Sequence, residues 1–298
     1  MKIKITIIMF LLCATGFSQK KIIQNTHSQT YTDLKSYKKL FGDNFSKTDS
    51  LSFIKRDNDT LVPLPKDYIK LSGASVPYEP KDSAFLEIYK DLVFKKHQEP
   101  KNISKNKLKM RYWKKPIKIY FTKNVDETVK QELKKFAKYL SSEIDSLNIT
   151  FVKKIEKSNY LIYGHNSEND SIYDTRIKKS ANDYYISWDG NQRIYDCKLQ
   201  INANSYKNKE DLILESKKLF LGTLGHFNKT NLLPKESILS SLYYKNKTFT
   251  NIDLEILKYH YSYGICKGTD LNTFEEQHSS AKKLFLETGR ILNFRHPK

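Results

Sequence analysis

The chain has 298 residues, 39% of them hydrophobic, which is enough for one or two domains with a buried core. Its net charge of +19 favours anionic partners such as polysaccharide, lipid headgroups or acidic proteins, although a general lysine bias explains the same excess. Lysines are spread along the whole chain, and there is no Arg-rich run, RNA-binding motif or zinc-finger spacing, so the sequence argues against specific binding of nucleic acid.

The first predicted element is a secretory signal peptide over residues 1–18. A charged start, MKIK, precedes an apolar run at residues 5–17 that is too short to span a bilayer stably. Gly16 and Ser18 are the small residues expected before a cleavage site. We therefore expect cleavage after Ser18 and a mature protein that is secreted or periplasmic.

Two alternatives to cleavage are an uncleaved membrane anchor and a lipoprotein modified at Cys13. Leu12 argues against lipidation, since a small residue should precede a lipidated cysteine. No later segment is apolar enough to predict a membrane span. Removal of the signal, with Lys2 and Lys4, takes the net charge from +19 to +17.

Three regions are predicted after the signal. Residues 19–60 are polar with weak periodicity and predict a linker or arm. Residues 61–110 form an N-terminal extension with turn signals and one helix, capped by Ser83. Residues 111–298 carry the regular patterning of an α+β domain.

The domain begins with a strand at residues 117–121 and a long helix capped by Asn124, with Glu127 as its capping-box partner. Short strands follow at about 149–155 and 159–164. The helix carries one apolar stripe: Val129, Leu133, Phe136, Leu140, Ile144 and Leu147.

The second half of the domain begins with an edge strand at 183–188 and a clearly alternating strand. A helix is predicted within 213–230, another from the Thr250–Asp253 cap to about 262, and a last one at 273–292. The alternating strand points one set of side chains to the core: Tyr195, Cys197, Leu199, Ile201 and Ala203.

Short segments between residues 113 and 270 carry a resemblance to a known family. They are WKKPIKIYF at 113–121, Leu224-Gly225 followed by Asn228, Ser237-Ile238, Phe249–Asp253 and Tyr259–Gly268. The chain resembles secreted bacterial proteins of unknown function related to the metzincin metallopeptidases. This resemblance implies a zincin-like fold: a mixed sheet packed with a long helix and an active-site helix, plus C-terminal helices.

The zinc-binding motif of that family, HExxHxxGxxH, is degenerate in this chain. With the motif glycine at Gly225, the three ligand positions hold Lys218, Gly222 and Asn228, and the general-base position holds Leu219. Zinc requires lone-pair donors, which an ammonium group and a glycine lack, and leucine accepts no proton from bound water. The expectation is a degenerate motif with no zinc, no other cofactor and no peptidase activity.

His226, Asp253 and His260 are the residues that could build a replacement metal site, because histidine and carboxylate suit zinc. A simpler interpretation exists for each residue. Asp253 is a helix cap, His226 is a helix-end cation that complements the dipole, and His260 packs in a Tyr-rich segment.

Two further features leave alternatives open. Cys197 and Cys266, the cysteines that remain after signal removal, either form a disulfide or stay separate thiols. Glu168, Asp170 and Asp174 either bind calcium or belong to a solvated loop, and their spacing lacks the glycine and glutamate of the twelve-residue calcium loop.

These observations predict an extracytoplasmic protein with a catalytically inactive zincin-like domain and a binding or structural role in the cell envelope. Its expected partners are anionic polysaccharide, lipid headgroups or an envelope protein. Tyrosine pairs such as Tyr184-Tyr185 suit carbohydrate or protein surfaces. The alternatives are a hydrolase of the same fold with relocated catalytic residues, and a cationic binder of anionic surface polymer.

Overall fold

The structure is a computed structural model, and its contacts divide the chain into two compact units, Met1–Ser72 and Gly73–Lys298. The predicted signal peptide and the loop acids Glu168 and Asp170 lie outside the described residues. The structure describes residues 31–43, 45–46, 50–56, 59–65, 73–98, 103–164, 174–178 and 182–297.

The first unit contains a small antiparallel sheet with strand order β1-β3-β2. Its helix α1 begins after Asp33, whose side chain accepts a 2.8 Å hydrogen bond from the Ser36 N–H. The segment predicted as a linker at 19–60 therefore carries regular structure, and β3 crosses the expected boundary at residue 60. The elements are β1 (Tyr31–Asp33), α1 (Leu34–Phe41), β2 (Ile54–Arg56) and β3 (Asp59–Pro63).

The second unit contains the other strands and helices. Its strands are β4 (Gly73–Pro77), β5 (Tyr112–Trp113), β6 (Ile117–Phe121), β7 (Ile149–Phe151), β8 (Tyr160–Gly164), β9 (Asp183–Trp188), β10 (Arg193–Ile201) and β11 (Asn293–Pro297). Its helices are α2 (Ser83–Phe94), α3 (Glu127–Glu143), α4 (Lys209–Gly225), α5 (Asn251–Tyr261) and α6 (Leu271–Thr288).

Six strands of the second unit form one mostly parallel sheet. The order is β5-β10-β8-β6-β7, all parallel, and β9 pairs antiparallel with β10. Strands β4 and β11 form a separate antiparallel pair. Side chains of the sheet share one buried cluster with α3, α4 and α5. This mixed α/β architecture agrees with the predicted α+β class.

The long helix α3 follows the predicted stripe but begins later than expected. Asp126, not Asn124, caps it by accepting from the backbone N–H groups of Thr128 and Val129. Asn124 instead donates to the carbonyl of Gly164. The predicted stripe is buried over its whole length, although Ile144 and Leu147 lie beyond the end of the helix.

Strand β10 departs from strict alternation at its start. A bulge between Ile194 and Asp196 shifts the pairing with β9, so Ile194 is buried while Tyr195 is 54% exposed. The expectation that Tyr195 points to the core was wrong for this reason. Cys197 and Leu199 beyond the bulge are buried as predicted.

The helix boundaries show which residue types cap in practice. Asp82 caps α2 one residue before the expected Ser83, and Asp270 caps α6, which begins at Leu271 and not at the expected residue 273. Gly289, with φ of 65°, ends α6 before residue 292. None of the helices within the described residues is long and apolar enough to cross a membrane.

Cys197 and Cys266 are free thiols in the structure, so the disulfide alternative is not formed. Cys197 is fully buried in the main core on β10. Cys266 packs instead against a smaller cluster formed by Tyr78, Ala281 and Phe294. Their separation into two clusters explains why they do not pair.

Candidate functional site

The helix that carries most of the positions compared with the zinc motif is α4 (Lys209–Gly225). The Asn208 side chain accepts a 2.8 Å hydrogen bond from the Asp211 N–H, and the acidic Glu210 and Asp211 complement the positive end of the helix dipole. The helix ends because His226 adopts a left-handed conformation with φ of 55°. It therefore starts before the predicted span and stops short of Phe227.

Buried hydrogen bonds fix the carboxyl end of α4 against the sheet and α5. The indole N–H of Trp113 donates to the Thr223 carbonyl over 3.0 Å, and the hydroxyls of Tyr160 and Thr223 lie 2.8 Å apart. The Tyr261 hydroxyl donates to the Leu224 carbonyl over 2.5 Å. The bonds from Trp113 and Tyr261 satisfy carbonyls of the last turn that have no helical partner.

A groove of about 200 Å³ runs beside the carboxyl-terminal half of α4. Tyr184 of β9 forms one side, and the segment after the helix forms another. The lining combines apolar side chains with one carboxylate, two ammonium groups and an amide: Tyr184, Glu215, Lys218, Leu219, Gly222, Phe227, Asn228, Lys229, Ile238 and Leu239. Four of the five positions compared with the zinc motif therefore line this groove, and only Gly225 does not.

The first ligand position holds one half of an ion pair. Lys218 Nζ lies 3.2 Å from Glu215 Oε2, and the two side chains are 17% and 22% exposed. Leu219, at the general-base position, packs against the core and offers no proton acceptor. This half of the groove presents an internally neutralised pair above an apolar surface.

The second ligand position, Gly222, faces an aromatic ring. A Cβ placed there would lie 3.1 Å from both Cε1 and Oη of Tyr184. Burial raises the pKa of the Tyr184 phenol, so it stays neutral. The Tyr184 ring occupies the space that a histidine side chain at this position would need.

The third ligand position, Asn228, is engaged by α2. Its backbone N–H and its side-chain amide both donate to the carbonyl of Leu92, over 2.9 and 3.2 Å. Across the part of the chain that the structure describes, no three histidine, cysteine or acidic side chains form a metal-binding group. The residues at the motif positions do not fit zinc.

The alternative site residues His226, Asp253 and His260 have separate surroundings. Asp253 is fully buried and accepts from the Thr250 N–H and hydroxyl, from the Ser237 hydroxyl and from the Ile238 N–H. The predicted helix cap is confirmed as a capping box. Hydrogen bonds from four donors within the fold engage both carboxylate oxygens, so this side chain has a structural role and is not assigned as a metal ligand.

His260 is fully buried and His226 is partly buried, and both rings are neutral at neutral pH. His260 lies 3.0 Å from the Tyr89 hydroxyl and 3.0 Å from the Arg111 carbonyl, and burial lowers its pKa to about 3. Burial, with Arg111 and Lys95 nearby, lowers the pKa of His226 to about 4. His226 does end α4 as predicted, but its expected role as a cation at the helix dipole was wrong.

The motif glycine Gly225 has a packing role. A Cβ at this position would lie 2.6 Å from Phe227 Cζ and 2.8 Å from His260 Nε2. Only glycine lets the end of α4 approach these rings so closely. Local packing thus explains a glycine at this position without reference to any motif.

Of the three loop acids considered for calcium, only Asp174 lies within the described residues. Its carboxylate binds the Arg176 guanidinium over 2.6 and 2.8 Å, and Lys198 lies 3.5 Å away. These cations lower the pKa of Asp174 to about 2. Asp174 is a structural ion-pair partner.

Sequence reasoning missed Tyr184 and Glu215 as members of the groove. The edge strand at 183–188 was predicted correctly, but nothing in the pattern shows that Tyr184 lies against Gly222. Tyr185, its predicted surface partner, stacks under the Arg176 guanidinium at 3.5 Å from the ring centroid.

No model of a known protein family matches the chain, and no curated protein matches its sequence. The fold and the groove therefore define the class on their own: a mixed α/β protein with a mostly parallel sheet. Its groove runs along one helix and lacks the donors of a zinc site.

Proposed function

We propose that this chain is an extracytoplasmic, non-catalytic binding protein built on a degenerate zincin-like domain. Three features support the zincin-like part: a mixed sheet, the long helix α3, and α4 in the place of an active-site helix. The signal-like residues 1–18 support the location. No zinc chemistry is assigned, because the donor set does not fit the metal.

One observation carries the proposal. Each motif position in the groove has a non-ligating role: Lys218 pairs with Glu215, Gly222 lies under Tyr184, and Asn228 bonds to Leu92. A groove of about 200 Å³ remains beside them. It retains shape and mixed polarity without a reacting group, which suits binding.

An extended segment of a partner protein is the occupant that the groove fits best. Strand β9, which contributes Tyr184, pairs only with β10 among the described strands, so its other edge has no partner strand there and suits strand addition. The apolar lining suits side chains that alternate along such a segment, and the Glu215–Lys218 pair supplies both charges at the side of the groove. An envelope protein is the expected source.

The hydrolase alternative has no supporting observation. His260 is fully buried and both of its ring nitrogens have partners, while Asp253 is fully used as a cap. Glu215 is the one carboxylate that lines the groove.

A test of catalysis therefore needs only fluorescent casein, with and without added zinc, and the Glu215→Gln variant. We expect no hydrolysis above buffer, and hydrolysis abolished by Glu215→Gln would overturn the proposal.

Binding is tested with heptapeptides selected from a phage library on the mature chain. Affinity is then compared between the wild type and Gly222→Leu, whose side chain enters the groove beside Tyr184. Gly190→Leu is the matched control, because nothing lies within 4 Å of a Cβ added there. We expect Gly222→Leu to lose at least about tenfold in affinity and the control to lose none. Equal affinities would place binding outside the groove.

The location is tested separately by expressing the full chain with its leader and measuring the mass of the exported protein. Cleavage after Ser18 predicts a mature chain that begins at Gln19. Retention of the intact chain in the cytoplasm would contradict the extracytoplasmic location and would leave the proposal of binding in the groove unaffected.

A further inference from the structure

A second cavity, of about 130 Å³, lies beyond the end of α4 and has a different chemical character. Lys95, Lys107, Lys109, Arg111 and His226 line it, and no acidic side chain does. Its volume holds more than one water molecule. Part of the excess positive charge of the chain thus converges on one partly open cavity.

Arg111 is held in this cavity without an anionic partner. Its guanidinium carbon lies 4.0 Å from the ring centroid of Trp188, so stacking fixes the plane of the group. Its Nε is buried and donates to no acceptor within the described part of the molecule. Such a donor is destabilising unless a ligand accepts from it.

His226 provides a second polar atom without a partner in the same place. Its Nδ1 is buried and makes no hydrogen bond to the described residues. Burial and the neighbouring Arg111 and Lys95 lower the pKa of the ring to about 4, so at neutral pH it is an uncharged donor or acceptor. The two residues that carry these unpartnered atoms therefore both line one cavity.

The backbone also brings unusual residues to this cavity. Among the described residues only three non-glycine residues have positive φ, and two of them, Lys95 at 59° and His226 at 55°, line it. Both follow helix ends, where glycine usually adopts this conformation. The dipoles of α2 and α4 favour positive charge at the carboxyl ends of these two helices. Lys107, Lys109 and Arg111 belong to neither helix, so the dipoles do not explain why they line the cavity.

We propose that this cavity binds one tetrahedral oxyanion, a phosphate or sulfate group, with Arg111 as the fixed donor and Lys107 and Lys109 as the mobile cations. A planar guanidinium suits such an anion because it donates in a fixed fork, and lysines add charge without fixed geometry. His226 contributes its neutral ring nitrogen. The group is either a free anion or the phosphate of a lipid headgroup. This site does not rest on the zincin-like proposal.

The experiment is calorimetric titration of the folded mature chain with inorganic phosphate and with sulfate. We expect saturable binding to one site, weakened by salt. The double variant Lys107→Glu/Lys109→Glu should weaken phosphate binding at least about tenfold. Both lysines are exposed, so the variant is expected to fold.

The matched control is Lys153→Glu/Lys154→Glu, which makes the same charge change at two exposed lysines outside the cavity. It should stay within about twofold of the wild type. Equal weakening in the two double variants would overturn the proposal, since net charge alone would then explain binding. Absence of saturable phosphate binding by the wild type would overturn it as well.

Vesicles of phosphatidylglycerol distinguish the source of the phosphate group. Vesicle binding that inorganic phosphate displaces identifies a lipid headgroup as the ligand. Phosphate binding without vesicle binding identifies a soluble anion. Each of these results supports the oxyanion site, whereas vesicle binding that survives Lys107→Glu/Lys109→Glu and resists phosphate contradicts it.

Discussion

Asp253 is fully buried and Arg111 is partly buried, and the hydrogen-bond surroundings of these two side chains are opposite. The Asp253 carboxylate is fully buried and accepts from Thr250, Ser237 and the Ile238 N–H. The Arg111 guanidinium stacks on an aromatic ring and leaves its Nε without an acceptor. A polar side chain whose hydrogen-bond partners all lie within the protein has a structural role. A polar side chain that lacks such partners is a candidate for ligand binding.

The same contrast separates the groove from the basic cavity. In the groove, Lys218 and Glu215 neutralise each other, and recognition there depends on shape and apolar contact. In the cavity, cations meet with no carboxylate among the lining residues. Tyr184, which lines the groove, contacts His226, which lines the cavity, with ring centroids 6.2 Å apart.

The largest expected effect of a single substitution is the loss of the buried cap. Asp253→Ala should lower the free energy of unfolding by about 3 kcal/mol or more, because buried donors of Ser237 and Thr250 lose their acceptor. Urea denaturation measures it. Asp126→Ala removes a more exposed cap of α3 and should cost only about 1 kcal/mol. Equal losses would mean that the Asp253 network is not structural.

Acid should destabilise the fold through its histidines. Burial lowers the pKa of His260 to about 3, below its unfolded value near 6.5, so the unfolded chain takes up the proton first as pH falls. Stability is full above about pH 6.5 and falls by about 1.4 kcal/mol per pH unit for this group as pH falls toward its folded pKa.

The pKa values of His226 and His278 are lowered to about 4 and steepen the same loss. Glu87 and Asp174, with pKa values lowered to about 2, add a further loss that begins near their unfolded values of about 4 and therefore falls mainly below this pH range. Urea midpoints at about pH 6.5 and 4.5 measure the effect, and a flat profile would show that these histidines are not buried neutral groups.

A smaller effect should separate the two glycines of α4. Gly225→Ala places a methyl group 2.6 Å from Phe227 Cζ and should cost about 2 kcal/mol. Gly222→Ala meets the Tyr184 ring at 3.1 Å, and the gain in helix propensity offsets most of that contact. Thermal unfolding of the two variants compares them, and a greater loss for Gly222→Ala would be the opposite of this expectation.

The smallest expected effect on stability belongs to Arg111. Arg111→Met gives up the stacking on Trp188 but also removes a buried donor that has no acceptor. The two changes nearly cancel, so unfolding should shift by less than about 1 kcal/mol. Phosphate affinity should nevertheless fall about tenfold or more. A loss of stability as large as that of Asp253→Ala would make Arg111 a structural residue.

Periodicity and capping chemistry predicted much of the second unit. The stripe of α3, the edge strand β9 and the Thr250–Asp253 cap depend on local spacing, and all three are present. The errors arose where several residues could perform one task. Asp126 caps α3 in place of the expected Asn124. The β-bulge that exposes Tyr195 has no recognisable pattern in the sequence.

The sites were predictable only in part, because they combine residues distant in sequence. The motif positions Lys218 and Gly222 follow from helical spacing, but Tyr184 reaches them through the pairing of β9 with β10. Arg111, Lys95 and His226 come together from three segments, so no single segment indicates a cavity.

The most direct measurement of the central claim is the zinc content of the purified mature chain after incubation with zinc chloride and gel filtration. Lys218, Gly222 and Asn228 supply no adequate donor set, so we predict far less than one zinc per chain. One tightly held zinc per chain, lost in Asn228→Ala, would contradict the claim that α4 carries a binding groove without a metal site.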